Sequence, residues 1–200
     1  MTVVVPVVLV SEDALCHALM KRLLQHVDRG FVVELSIVEG GSGNVRCRVP
    51  KYRNACKAVP HIVLTDLDEA ACAPSLLAEW GVVGAPESLL FRFAVREAES
   101  WLLADARGLA SFIGVPINRI PPNPETLPDP KQTLVNIARR SRNKRLVSEL
   151  TPPKGSAVPI GPLYNERLGA FVATTWDVEQ AATVAPSLKR TLNRLQNFMA

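Results

Sequence analysis

The chain has 200 residues, of which 48% are hydrophobic and 21% are charged, and its formal net charge is +4 at pH 7. This composition predicts a globular protein with one good hydrophobic core, or one core with a small appendage. So mild a net charge is, by itself, a poor argument for a nucleic-acid partner.

The amino-terminal stretch 1–10 is apolar, but it does not have the pattern of a targeting segment. It lacks a basic leader, contains Pro6, and is followed by Glu12 and Asp13. It is also too short to span a bilayer, so we expect a buried strand and no membrane association. The cysteines form no C-x-x-C pair, and the three histidines leave no zinc-ligand spacing, which predicts reduced thiols in a cytoplasmic protein.

The first half of the chain alternates short apolar runs with amphipathic stripes. In chain order this pattern predicts strand 3–10, helix 13–27, strand 31–38, helix 45–58, strand 61–65, helix 74–80 and strand 88–95. We expect a flexible turn at 40–44, and a helix break or a late first-turn position at Pro50.

The second half shows no further convincing strand. Its pattern predicts helices at 97–104, 106–113, 131–140, 142–150, 163–175 and 187–199, with proline-rich connections at 116–130 and 151–162. The predicted fold class is therefore α/β, with a mainly parallel four-stranded sheet flanked by helices and a C-terminal all-helical part. The expected division is an α/β domain at 1–105 and a helical extension packed on it at 106–200.

Acidic residues follow two of the predicted strands. Glu12 comes after the first strand, and Asp66 and Asp68 come after the third, in HIVLTDLDEA. If these strands are neighbours in a parallel sheet, the three carboxylates meet at its carboxyl edge. Three oxygen donors without nearby Cys or His favour Mg²⁺ or Mn²⁺ over zinc.

Helix capping offers a different explanation for each acid taken singly. Glu12 could be a first-turn acid favoured by the helix dipole, and Asp68 could be the N-cap of the following helix. The combination of a Glu after strand one with Asp-x-Asp after strand three is less easily explained in this way.

The segments VLVSEDALCHALMKRLL and IVLTDLDEA resemble the TOPRIM fold of topoisomerases, primases and nucleases of the overcoming-lysogenization-defect type. In that fold a glutamate after the first strand and a later Asp-x-Asp bind Mg²⁺ for phosphodiester chemistry. The resemblance covers about residues 3 to 105 and assigns the metal to Glu12, Asp66 and Asp68, although Asp13 stands where TOPRIM proteins usually have glycine.

The segments FRFAVREAESWLLADARGLASFIGV, NPETLPDPKQTLV and IGPLYNERLGAF are similar to a bacterial family known only as a domain of unknown function. This second resemblance covers nearly the whole chain. It implies that Arg96 and Glu99 lie near the acids, and it implies an ATPase partner of the AAA or structural-maintenance type in a phage-defence module. Arg96 and Glu99 are three residues apart, so if this segment is already helical they share one face, where they could form an ordinary surface pair or both point at the metal site.

These expectations combine into a Mg²⁺- or Mn²⁺-dependent nuclease or nuclease subunit. The metal would activate water and stabilise charge on a phosphodiester, with a second ion shared by Glu99 and with Arg96 facing a phosphate. A basic group in the predicted helices would hold the nucleic-acid backbone, unless it is simply a solvated face. Its members are Lys131, Arg139, Arg140, Arg142, Lys144 and Arg145.

Two other functions stay open at the level of sequence. A phosphatase of the haloacid-dehalogenase type would use Asp66 as nucleophile and Asp68 as acid and base, although Ala70 stands where that family has Thr or Ser. A TOPRIM-like module without metal affinity would instead act as an interaction subunit, docking an ATPase or a second copy through its helical half. The apolar stripe of the last helix, Leu188, Leu192, Leu195 and Met199, would then be either core or interface.

Overall fold

The computed structural model describes residues 4–198, so Val3 of the first predicted strand and Met199 of the last predicted helix lie outside the described residues. The strands are β1 (Val5–Ser11), β2 (Phe31–Val38), β3 (His61–Asp66) and β4 (Leu89–Ala94). They form one parallel sheet in the order β2-β1-β3-β4, which confirms the predicted fold class. The first and third strands are neighbours in this sheet, so the condition for the acids to meet at its carboxyl edge is fulfilled.

Helices flank the sheet and make up the rest of the chain. Those of the first half are α1 (Ala14–His26), α2 (Ser42–Ala55) and α3 (Ala73–Glu79). Those of the second half are α4 (Glu99–Ala104), α5 (Ala106–Ile113), α6 (Pro130–Ala138), α7 (Lys144–Leu150), α8 (Tyr164–Thr174), α9 (Val178–Val184) and α10 (Pro186–Gln196). None of the helices within residues 4–198 combines the length and the apolar character that crossing a membrane requires.

Each face of the sheet is covered by a separate apolar cluster, as its alternating side chains require. On one face Val10, Val63 and Phe91 pack against α2 and α3. On the other face Leu9 and Leu64 pack against α1 and the C-terminal helices. This second cluster is continuous across residue 105, so the two predicted domains share one core.

Two local predictions were wrong, and one short helix was missed. The predicted turn at 40–44 is shorter, because α2 already begins at Ser42, and within 40–44 only Gly40 and Gly41 have positive φ. Pro50 does not break α2, because it lies on the exposed side of the helix, where the carbonyl it leaves without a donor can face water. The short helix α9, which starts at an Asp177 N-cap, was not predicted.

Candidate acid site at the carboxyl edge of the sheet

Glu12 lies directly across the end of β3. Its backbone amide donates to the Leu64 carbonyl, and its Oε2 accepts hydrogen bonds from the Asp66 amide at 3.0 Å and the Thr65 hydroxyl at 2.5 Å. The capping explanation for Glu12 is wrong, because Asp13 is the residue that caps α1 and accepts from the Cys16 amide at 2.8 Å. Glu12 therefore ties the ends of two adjacent strands together through its side chain.

Asp66 is the most enclosed of the predicted metal ligands, with 5% of its surface exposed. Its Oδ1 accepts a hydrogen bond from the Ala98 amide at 2.8 Å and lies 3.7 Å from the Cys16 thiol. Burial raises the pKa of Asp66 well above its ordinary value, and the nearby Glu99 and Glu12 carboxylates add to that rise. Asp66 thus joins the end of β3 to the entrance of α4.

Asp68 is exposed and stands in a left-handed backbone conformation with φ of 50°. It does not cap the next helix, because α3 begins five residues later behind Cys72. The Asp68 amide donates to the Arg96 carbonyl at 2.9 Å, and the Arg96 guanidinium donates to the Asp68 carbonyl at 3.3 Å. Partial burial of the carboxyl group raises the pKa of Asp68, and Glu12 and Glu97 raise it further.

Glu99 is the first residue of α4 and is 1% exposed. Its Oε1 accepts a hydrogen bond from the Tyr164 hydroxyl at 3.0 Å and lies 3.8 Å from the Lys131 ammonium. Its Oε2 is buried and has no hydrogen-bond partner among residues 4–198. Burial raises the pKa of Glu99 to about 7, although the Lys131 ammonium favours the carboxylate.

Of the two arrangements that the sequence left open for Arg96 and Glu99, the surface pair does not form. Arg96 precedes α4, so the two residues do not share a helix face, and the ion pairs within residues 4–198 do not join them. The half-buried Arg96 instead holds the loop at Asp68, while Glu99 turns inward towards Lys131 and Tyr164.

Lys131 lies at the acids and not with the predicted basic group. Its ammonium is 3.2 Å from Glu97 Oε1, and its backbone amide donates to Glu97 Oε2 at 2.8 Å. Burial disfavours the ammonium, but the Glu99 and Glu97 carboxylates outweigh that cost and raise the pKa of Lys131. Lys131 is thus the counter-charge of these carboxylates, and its contact with a nucleic-acid backbone stays a prediction.

The remaining members of the basic group lie on the surface around the end of α6 and the start of α7. Arg139, Arg140, Arg142 and Lys144 are exposed and take part in none of the ion pairs formed by residues 4–198. Arg145 is paired with Glu149 at 2.8 Å. Four basic side chains of this group are therefore available to a partner.

We call Glu12, Asp66, Asp68, Glu97 and Glu99 the acid cluster. Glu97 was not predicted to belong to it, nor were Tyr164 and Cys16 predicted to contact it. Glu97 could have been found, because it stands two residues before Glu99 in REAESW. The other two could not, because Tyr164 lies 65 residues from Glu99 in sequence and Cys16 lies 50 from Asp66.

The donor chemistry of the acid cluster fits a hydrated magnesium ion better than a metal enclosed by protein ligands. Within residues 4–198 no three His, Cys, Asp or Glu side chains are close enough together to enclose a metal ion. Mg²⁺ commonly keeps several waters and binds through one or two carboxylates. Burial is the main cause of the raised pKa values of Asp66, Asp68 and Glu99, and repulsion from neighbouring carboxylates adds to each rise. The buried Glu99 Oε2 also has no hydrogen-bond partner within residues 4–198, so a further cation at the cluster would be stabilised.

Comparison of the chain with protein-family models, with curated proteins and with solved structures found no match.

Proposed function

We propose that the acid cluster binds a hydrated Mg²⁺ or Mn²⁺ and that the protein hydrolyses phosphodiester bonds in nucleic acid, as a nuclease or nuclease subunit. The observation that carries this proposal is the convergence of carboxylates from the ends of β1, β3 and β4 at one edge of the sheet. Burial is the main cause of the raised pKa values of Asp66 and Asp68, and repulsion between the carboxylates, which a divalent cation would relieve, adds to the rise. The resemblance to TOPRIM proteins points the same way and stays a prediction.

The residues of the cluster have different parts in this proposal. Glu12 and Asp68 are the least buried of the predicted ligands and would hold the ion. Asp66 holds the edge together through the Ala98 amide and would act as a ligand or a positioning residue. When bound, the ion would supply an activated water and stabilise negative charge on the phosphodiester.

Two cations of the chain complete the arrangement. Arg96 leaves part of its guanidinium free beside Asp68, where it can face a phosphate oxygen. The positive charge of Lys131 offsets the negative charges of Glu97 and Glu99, so the inner part of the cluster carries less net negative charge. The second metal ion predicted at Glu99 would have to compete with Lys131, so a single ion fits these contacts better.

Nucleic acid is the proposed substrate because exposed basic residues lie outside the acid cluster. Arg139, Arg140, Arg142 and Lys144, with the paired Arg145, would hold backbone phosphates in a salt-sensitive manner without reading sequence.

The other two functions fit the contacts less well. A phosphatase of the haloacid-dehalogenase type needs an accessible nucleophile, but Asp66 is buried and accepts a hydrogen bond from Ala98. An interaction subunit that docks through its last helix needs an exposed apolar stripe. Leu188 and Leu195 are fully buried in the core, and Leu192 is partly buried against it.

The cellular setting is proposed from the cysteines and from the family resemblance. The four cysteines are free, which suits a cytoplasmic protein. An ATPase partner of the AAA or structural-maintenance type in a phage-defence module follows from the resemblance. Assembly with a second copy is a separate prediction, which does not follow from it. Co-purification of the chain with a co-expressed ATPase would test the partner.

Calorimetric titration with Mn²⁺, followed by cleavage assays on plasmid and single-stranded DNA, tests the proposed chemistry. The variants are Asp68→Asn and, as a matched control, Glu69→Gln, which removes one exposed carboxylate at the neighbouring position. We expect Asp68→Asn to weaken Mn²⁺ binding at least tenfold and to abolish cleavage, whereas Glu69→Gln leaves both close to wild type.

Failure to bind Mn²⁺ in a folded wild-type chain would overturn the metal site. Equal losses in Asp68→Asn and Glu69→Gln would show a diffuse effect of surface charge instead of ligation. Metal binding without cleavage of DNA or RNA would overturn the nuclease proposal and keep the site.

A further inference from the structure

Three arginines gather away from the acid cluster, where the edge strand β4 meets the last helix. Arg92 is on β4, and its Nε donates to the Thr191 hydroxyl of α10 at 3.2 Å. Arg190 and Arg194 flank Thr191 on the same helix, one turn apart. We call these three side chains the arginine triad.

The arginine triad has no counter-charge within residues 4–198. None of the ion pairs formed there includes Arg92, Arg190 or Arg194. Arg92 is half-buried, and burial together with Arg194 and Arg190 lowers its pKa to about 10. Cations held together in this way repel one another, so an anion placed between them would be stabilised.

The chemistry of the triad favours a phosphate. Guanidinium groups are planar donors that match the oxygens of phosphate in pairs, and they lose less hydration on binding than an ammonium does. The Thr191 hydroxyl, which also donates to the Ser187 carbonyl at 2.9 Å, fixes the direction of the Arg92 side chain. Arg92 is therefore anchored while Arg190 and Arg194 remain exposed beside it.

The position of the triad connects it with the acid cluster. Arg92 is paired with Leu64 in the sheet, and Ala94, two residues further on, is paired with Asp66. Two residues of a strand span about 7 Å, so Arg92 lies a short way back along the same edge strand. At the far end of that strand Ser187 of α10 accepts from the Val95 amide at 3.4 Å, which keeps helix and strand together.

We propose that Arg92, Arg190 and Arg194 form a binding site for a backbone phosphate of a nucleic acid whose neighbouring segment lies at the acid cluster. This inference rests on the proposed function, because it assigns the path that the substrate takes away from the acids. The nucleic acid would run along the outer edge of β4 and over α10, a surface that the basic group around α6 and α7 does not include.

The test is the salt dependence of nucleic-acid binding, measured by fluorescence anisotropy in EDTA so that no metal contributes. Single-stranded DNA, double-stranded DNA and RNA are compared, and the tightest ligand is carried forward. The variant is Arg190→Gln with Arg194→Gln. The matched control is Lys51→Gln with Lys57→Gln, which removes two exposed positive charges in and just after α2, on the opposite face of the sheet.

For a single-stranded ligand we expect the arginine variant to reduce the slope of log K against log salt by about 1.4, which corresponds to roughly 25-fold weaker binding at 0.1 M salt. The lysine control should leave the slope within error of wild type. Arg92→Gln, checked for folding by circular dichroism, should reduce the slope by a further amount of about 0.7.

Equal slopes for the arginine variant and the lysine control would overturn the triad as a phosphate site, as would a wild-type chain that binds none of the three nucleic acids. Cleavage is scored separately with Mn²⁺ present. If binding depends on the arginines but the chain never cleaves, the proposed nuclease function is overturned and the phosphate site is kept. If the chain cleaves but the arginine variant has the wild-type slope, the phosphate site is overturned and the nuclease function is kept.

Discussion

At the scale of single residues, burial decides what the acids of this protein can do. Asp66 and Glu99 are both almost fully enclosed, and each keeps hydrogen-bond donors on one of its oxygens. Asp68, only two residues from Asp66, is exposed on a loop that Arg96 holds. The inner carboxylates therefore organise the edge of the sheet, while the outer ones are placed to meet a ligand.

The raised pKa of Glu99 makes stability depend on pH. Its pKa rises from an ordinary value of 4.5 to about 7 in the folded protein, so the folded state holds the proton more tightly than the unfolded state does. Its contribution to stability is full below pH 4.5 and is lost as the pH rises through about 7, a change on the order of 3 kcal/mol. We expect Glu99→Gln, which keeps the hydrogen bond with Tyr164, to flatten this decline.

Chemical denaturation at several pH values between 4.5 and 8 measures the effect on the free energy of unfolding. Asp66 also has a raised pKa, so part of the decline should persist in the Glu99→Gln variant. Glu69→Gln serves as a control on an exposed carboxylate. A variant at position 99 with the full wild-type decline would contradict the assignment to Glu99.

At the scale of elements, close backbone approach fixes how the proline-rich segment 151–162 returns to the helices. The amides of Gly161 and Leu163 donate to the carbonyls of Leu150 and Glu149, each at 3.1 Å, at the end of α7. A Cβ on Gly161 would lie 2.3 Å from the Glu149 carbonyl oxygen and 2.6 Å from the Thr151 nitrogen. Backbone atoms cannot move aside as a flexible side chain can, so this position requires glycine.

We predict that Gly161→Ala lowers the free energy of unfolding by about 1–3 kcal/mol, the usual cost of overpacking. Gly169→Ala in α8 is the matched control, because a Cβ there would meet only the Ala18 Cβ at an ordinary 3.8 Å. The control should be neutral or stabilising by up to about 1 kcal/mol, since alanine favours helix over glycine. Equal denaturation midpoints for the two variants would show that the backbone of segment 151–162 shifts to accommodate a Cβ at little cost, which would contradict the prediction.

At the scale of the whole molecule, the helical half completes the core of the α/β half. Trp101 of α4 is fully buried, donating through its indole to Ser187 of α10 and accepting through its carbonyl from Trp176. The apolar cluster on that face runs from β1 and α1 through α8 to α10. Neither half can bury its apolar surface alone.

We therefore predict one cooperative unfolding transition in urea. Far-ultraviolet circular dichroism should follow the helices, and tryptophan fluorescence should report on Trp80 in the first half and on Trp101 and Trp176 at the junction. Coincident transitions by the two probes are expected, because the shared core couples the halves. Separate midpoints, or a folded fragment 1–105, would contradict this prediction.

Most of the fold was predictable because its signals are local. The apolar run before Asp66 and the stripe of α1 are periodic patterns within a few residues, and all four strands were located to within two residues at each described end. The failures have local causes too. Helix α9 was missed because its seven residues are too few for a clear periodic pattern. Pro50 was expected to break or begin a helix, but it is tolerated inside α2 because its side of the helix faces water. The site was predicted in part, for the acids that follow strand ends.

The amino-acid sequence by itself determined that carboxylates follow the first and third strands of a parallel sheet, because strand periodicity and chain order carry that information. Only the tertiary structure decided that Glu99 points inward to Tyr164, and that the Lys131 ammonium lies beside Glu97 and Glu99 and not with the other basic residues. Glu99 and Tyr164 are 65 positions apart in the sequence, and Glu97 and Lys131 are 34 positions apart. Their partners are selected by packing in the shared core, where a buried charge must find its counter-charge, and no spacing along the chain encodes that choice.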